Sequence, residues 1–594
     1  MQNQLLKDDI EMVFDSSLDR TDLVETTVFE TTVLETKEHE ANSTVAIATV
    51  IAASALLQAC GGGGGSSSST TITNPIPTVL PTMPEAARFL IQASIGSTST
   101  ETARVQTIGY ANWLDEQFAI ASATNLVTRL NQKGFADIAF KNQQDGFDEV
   151  IWQRLITAPD SLRVRIAIAL SEILVVGIDG LMGLSWQQFS AATYYDLLAA
   201  NCFGNYRTIL QQISTNPAMG TYLTFRGNEK LNVITGAEPD ENYARELLQL
   251  FTIGLVELNI DGTPKLYSGQ PKETYTQDDV SGLARIFTGW EVNINYAGGA
   301  FNSDNPGYVT TPMIQIASRH ETGASSFLAN TVPAGLNGVD SLTRALDIIF
   351  AHPNIAPFIS RQLIQKLVTS NPAPAYVARV ATVFNNDGTG VKGNMQAVVK
   401  AILLDVEATQ ASNLINPQFG KVREPMLRFL SWARAFNAKS ASDAWAIGNT
   451  SETINKLGQS PLRSPSVFNF FRPGYVPPNS DVASANLVAP ELQLANETSV
   501  IGYVNFMQKV VSNNGEIGDV FADYTNLLTI ADNAINLLDA LNLLLAANQL
   551  SSATLTNLSS AVATMPAGND AARKNRIYAA LTLVFAAPEF LVSK

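Results

Sequence analysis

The run Asp240-Glu241-Asn242-Tyr243-Ala244-Arg245-Glu246-Leu247-Leu248-Gln249-Leu250-Phe251-Thr252-Ile253-Gly254 carries the most suggestive side chains of the chain. A glutamate can act as general acid or base, an arginine can hold an anionic group and an amide can orient a substrate. Those roles fall to Glu246, Arg245 and Asn242, with His320 as the proton carrier. A variant of the same site uses Glu241, Glu246 and Asp279 as oxygen ligands for a divalent metal, Ca²⁺ or Mg²⁺. The structural reading beside both is an amphipathic helix with one exposed ion pair and a solvated flank. His320 has the same alternative, because a lone histidine is more often structural than catalytic.

Helical spacing must position these groups. Ala244, Leu247, Leu248 and Phe251 make one apolar stripe, Gly254 is placed as the C-terminal cap, and Glu241 and Arg245, four apart, can pair at the stripe's edge. Asn242, Glu246 and Gln249 fall on the other side. Thr276 and Asp279 have the spacing of a capping box that opens the next helix. The same periodicity predicts helices over 84–92, 110–118, 161–176, 185–200, 241–253, 277–287, 340–351, 357–367, 393–404 and 570–585. The stretch 290–316, rich in Asn, Gly, Thr and Tyr with an alternating end at 308–316, reads as a small hairpin or an ordered loop. No second low-complexity linker and no internal repeat interrupts 84–594, so the expectation is one large, mostly α domain.

Composition narrows the function. A net charge of -16 repels nucleic acid and other polyanions. The only cysteines are Cys60 and Cys202 and the only histidines His39, His320 and His352, too few for a disulfide framework or a Cys/His zinc site. The chain has no Gly-x-Ser-x-Gly elbow, no His-Glu-x-x-His, no phosphate-cradling glycine loop and no Cys-x-x-Cys pair. A further group, Leu457 to Leu462 and Ser464 to Tyr475, combines turn formers with clustered aromatics. Exposed, it could stack sugar rings; buried, it is a proline-punctuated core strap.

The first 83 residues read separately. Residues 43–58 are uncharged and apolar but shorter than the roughly 20 residues that span a bilayer. They end in Leu57-Gln58-Ala59-Cys60, followed by Gly61 to Gly65 and Ser66 to Ser69. This resembles the signal and lipobox of bacterial lipoproteins, which implies lipidation at Cys60 and membrane attachment through that lipid. With Gly61 rather than Asp after the cysteine, the resemblance implies the outer membrane of the cell envelope, periplasmic or surface-facing. A flexible tether of about 20 residues would hold the domain about 25 Å from the lipid. Residues 1–42 are long and acidic where signal peptides are short and basic: either the start lies too far upstream or the extension is discarded with the signal.

Taken together, the landmarks from 84 onward resemble the bacterial family catalogued as domain of unknown function 1800. They are Arg88-Phe89-Leu90, Trp113 to Gln117, Glu241 to Gly254, Asp279-Val280, Thr288-Gly289-Trp290, His320, His352-Pro353 with Phe358 to Leu363, Pro465 to Phe470 with Pro473-Gly474-Tyr475, and Ala587 to Leu591. Gln249 and Glu321 depart from the family pattern, where an acid and an aspartate are usual. The resemblance implies an exported protein, often encoded beside a member of a second family that looks like alkaline phosphatases and sulfatases. Two functions follow: a hydrolase or lyase acting on an envelope or environmental polymer, or a non-catalytic scaffold for such a phosphatase/sulfatase-like partner.

Overall fold

Many helices begin where a Thr or Asn side chain can satisfy the free N–H groups of a first turn. Thr82 caps Met83–Ala93 and Glu85 completes the capping box. Asn337, Asn394 and Asn569 cap Gly338–Ala351, Met395–Leu403 and Asp570–Ala586. The computed structural model describes residues 80–298 and 300–594. The acidic extension, the signal-like stretch, Cys60 and the Gly/Ser tether lie outside them.

The fold is mostly α: among the described residues there are 25 α-helices, and the only sheets are two-stranded. Helices stand at all ten expected places, with two informative differences. Ser161–Ser171 ends five residues early, where Ile173 and Leu174 both turn back onto the carbonyl of Leu170 before the β-branched pair Val175-Val176 and Gly177. Asn242–Gln249 also closes early, because Ile253 and Gly254 both donate to the carbonyl of Leu248. Gly254 is the C-terminal cap its position implied, with φ of +71°.

Residues 290–316 hold a short hairpin, the first of the two arrangements read for this stretch, and it takes in little of the alternating end at 308–316. Trp290–Glu291 pairs antiparallel with Ile314–Gln315 alone, while Gly307–Thr310 forms a helical turn. The loop between them is rich in Asn, Gly and Ser, which bond locally to the backbone rather than extend a ladder.

The apolar side chains form one contiguous core, in which Trp113, Trp152, Trp186 and Trp432 are fully buried. Ser161–Ser171 packs on Gln187–Asn201 and on Ile355–Leu367, and has no solvent face beyond its last residue. Pro425–Ala435 carries Trp432 and starts beside a short strand, Lys421–Val422, which pairs with Val592–Ser593. Among the described residues no helix is long and apolar enough to cross a membrane.

Candidate functional site

The expected stripe is buried: Ala244, Leu247, Leu248 and Phe251 have no exposed surface. Around it the polar groups separate. The Glu241 carboxylate lies 3.0 Å from the Arg245 guanidinium and accepts from Gln277 Nε2 at 2.7 Å and Ser281 Oγ at 2.5 Å. Arg245 also donates to Gln277 Oε1 at 3.0 Å, so the pair clamps Asn242–Gln249 onto Gln277–Ala284. Asn242 is exposed and turns elsewhere, donating through its backbone to Asp240 and through Nδ2 to Thr224 Oγ1.

Glu246 points inward, only 8% exposed, and its Oε2 has no partner. Burial pushes its carboxyl up to about 7 against the opposing charge of Arg245. Nearby, the Tyr275 hydroxyl donates to Gln249 Oε1 at 3.3 Å. His320 is 1% exposed. Its Nδ1 lies 3.1 Å from the Thr288 carbonyl and its Nε2 3.3 Å from Ser341 Oγ, so the ring ties the Thr288 loop to Gly338–Ala351. Burial lowers its pKa. No hydrogen bond or ion pair among the described residues joins Glu246 to Arg245, Asn242 or His320.

The metal variant needs correction. Among the described residues no three His, Cys, Asp or Glu side chains are grouped to hold a metal ion, so Glu241, Glu246 and Asp279 are not a ligand set. Asp279 is the capping-box acid, accepting from Thr276 N at 2.7 Å, and its other oxygen accepts from Leu328 N at 2.6 Å. Glu241 is held by Arg245, and five residues separate it from Glu246, about 140° around the helix.

A denser cluster lies away from every candidate site residue singled out above. Arg165, Glu172, Lys366, Lys421, Glu424 and Glu491 are all buried and come together from distant segments. Lys366 Nζ is 3.0 Å from Glu172 Oε2, and Lys421 Nζ is 3.2 Å from Glu491 and 3.6 Å from Glu424. The carbonyl of Lys366 accepts from both Arg165 and Lys421. Gln459 donates to Glu424 Oε2 at 2.7 Å, while Glu424 Oε1 has no donor.

Glu172 and Glu424 are pushed apart. Burial and then the charge of Glu424 raise the Glu172 carboxyl well above its ordinary range. Burial also works against Glu424, but Lys421, Lys366 and the side chains of Glu172 and Gln459 more than offset it and hold it below. Neither Glu172 oxygen has a hydrogen-bond partner either. Neighbouring carboxyls pushed apart in this way occur in structural ion-pair networks and in general acid–base sites alike. Two small cavities of about 20 Å³ flank the cluster, each large enough for a water. Glu172, Tyr195, Gln459, Asn469 and Phe470 line one, and Arg165 and Lys421 the other.

The loop that covers Glu172 is the aromatic group noted in the sequence, and it divides the two readings between its halves. Leu457 to Arg463 is a buried strap, whereas Phe468, Phe470 and Tyr475 are half-buried on the outer part. Phe471 turns in, its ring 4.1 Å from Lys366 Nζ.

The whole of this arrangement falls within one family. The chain belongs to the family described as Protein of unknown function (DUF1800), whose model matches residues 88–592. No curated protein and no solved structure matches it.

Proposed function

We propose that this chain is an exported, lipid-anchored hydrolase or lyase that uses Glu172 as its proton donor and acceptor, with an envelope or environmental polymer as substrate. The observation that carries the reading is the buried cluster itself. Taking six ionisable groups out of water is expensive, and apolar residues of similar volume often do as well or better for stability. Strongly shifted carboxyls beside a water-sized cavity are what general acid–base chemistry requires.

In this reading Glu172 gives its proton to the leaving oxygen as the substrate C–O bond breaks, and takes one back either from a water whose oxygen bonds to that carbon, in a hydrolase, or from the neighbouring C–H as the double bond forms, in a lyase. Glu424 is a positioning residue: its negative charge keeps Glu172 protonated near neutral pH. Lys366 neutralises the carboxylate that Glu172 becomes. Phe468, Phe470 and Tyr475 offer rings on which sugars stack once the outer part of the loop moves aside.

The test is turnover of chromogenic glycosides and esters and of uronate polymers by the full chain and by Glu172→Gln. Hydrolysis or elimination lost in Glu172→Gln, with an unchanged melting temperature, supports the reading; no turnover of any of them by the wild type sinks it. Attachment through Cys60 is tested separately, by palmitate incorporation that Cys60→Ser abolishes.

The dispersal of Glu246, Arg245, Asn242 and His320 favours a second reading, a scaffold for a phosphatase/sulfatase-like partner, since Glu241, Arg245 and His320 brace neighbouring segments. Recovery of one such protein in stoichiometric amount from the native envelope, equally by wild type and Glu172→Gln, would favour it.

A further inference from the structure

Three loops are laced together by hydrogen bonds to backbone carbonyls. Arg226 donates to the carbonyl of Gly183 at 3.0 Å, Gly227 N donates to the carbonyl of Trp290 at 2.8 Å, and Trp186 Nε1 donates to the carbonyl of Ser303 at 3.0 Å. Each loop carries large apolar side chains that leave the core. Met182 is 82% exposed, Val233 86% and Ile234 92%, with Phe301 at 47% beside them in the series. Scattered exposed hydrophobics are ordinary, but two adjacent β-branched residues almost wholly bare at one tip are not.

That tip is held by hydrogen bonds within its own turn. Asn232 Oδ1 accepts from Ile234 N at 3.0 Å and Thr235 N at 3.1 Å. Asn232 N donates to the carbonyl of Ala237, Gly236 N to the carbonyl of Asn232, and Ala237 N to Thr235 Oγ1. Five of the six N–H groups from Asn232 to Ala237 are paired, all but that of Val233, so the turn can enter an apolar phase with one donor to dehydrate.

We propose that Val233 and Ile234, with Met182 and Phe301 on the laced loops, insert into the interfacial layer of a lipid bilayer. The side chains favour lipid over protein, because protein hot spots are enriched in Trp, Tyr and Arg seated in pockets, whereas these are mainly aliphatic groups on projecting turns. Aliphatic tips reaching about 5–10 Å into the headgroup boundary are how peripheral proteins hold a membrane. Glu229 is paired with Arg319 at 3.1 Å, and Glu238 and Asp240 outnumber Lys230 beside the turn, so no cationic patch faces the membrane and the surface that fits is zwitterionic rather than anionic. The presence of a bilayer nearby rests on the anchored reading above, in which a tether of about 20 residues leads from Cys60; the chemistry of the tips does not.

Cosedimentation of the full chain carrying Cys60→Ser with phosphatidylcholine/phosphatidylethanolamine vesicles tests this without the lipid anchor. The expected result is measurable binding that falls roughly fivefold or more in Val233→Asp/Ile234→Asp, together with a blue shift of Trp emission in Ile234→Trp when vesicles are added. Because the turn is outside the core, the melting temperature of each variant should match its parent. Absence of vesicle binding by the Cys60→Ser chain overturns the proposal, as does equal binding by the double aspartate variant. Loss of an envelope protein partner in that variant with vesicle binding intact also overturns it. Palmitate labelling decides the anchor independently, so the two failures are distinguishable.

Discussion

Glu172 and Glu424 lie together inside the protein among Arg165, Lys366 and Lys421, and their surroundings push the two carboxyls in opposite directions. Glu172→Gln keeps the shape of the protonated acid and is expected to leave stability nearly unchanged. Glu424→Gln removes the anion that faces Lys421 and Lys366 and is expected to cost about 3–5 kcal/mol. Urea unfolding at neutral pH compares the two, and equal losses would place the proton elsewhere.

Glu246 makes a different pH signature. Its carboxyl is raised from 4.5 to about 7, so the stability tied to its neutral form is complete below 4.5 and is lost as pH rises through about 7. Glu246→Gln cannot ionise. Its advantage over wild type should be near zero at low pH and reach about 2–3 kcal/mol at pH 8. Denaturant midpoints at the two ends of that range check it; a difference independent of pH would remove burial of Glu246 as the cause.

His320 has the opposite sign. Burial lowers its pKa from 6.5, with the Thr288 carbonyl and Glu321 opposing, so protonation favours the unfolded chain. The stability it contributes is complete above 6.5 and is lost as pH falls through the folded value. Ring-proton NMR, with His320→Gln to assign the signal, should show this histidine charging only below 6.5.

Gly254 and Gly269 separate strain from crowding. Both have positive φ, +71° and +81°, but a Cβ on Gly254 would stand 2.5 Å from the Phe358 ring while one on Gly269 meets nothing within 4 Å. Gly269→Ala should cost about 1 kcal/mol and Gly254→Ala roughly 2–4 kcal/mol, read from thermal unfolding.

Features set by near neighbours were legible in the sequence. The stripe Ala244–Leu247–Leu248–Phe251, the Glu241–Arg245 pair, the Thr276–Asp279 capping box and the Gly254 cap depend on spacing within one or two turns, and each stands as the spacing implied. Glu246 on the same helix was singled out, but spacing could not show that its carboxyl is sealed away from Asn242. The Glu172 cluster was missed because its members come from segments far apart in sequence, and each alone resembles a surface charge. A signal was present: Arg163, Arg165 and Glu172 interrupt a run that is apolar on every side, Leu162 to Ile173, where a helix has no wet face to put them on. Glu424 before Pro425, between Arg423 and a mostly buried helix that carries Phe429 and Trp432, is a weaker instance.

The pairing of Val592–Ser593 with Lys421–Val422 bears on the order of folding. The strand that carries Lys421, and leads within two residues to Glu424, acquires its partner only from chain made some 170 residues later. A nascent chain would therefore hold Lys421 and Glu424 beside a strand edge still open to water, and their final dehydration would wait on a contact of very long range. Such contacts form late and slowly, so trimming the last few residues should leave a protein whose helices are present but whose interior charges stay wet.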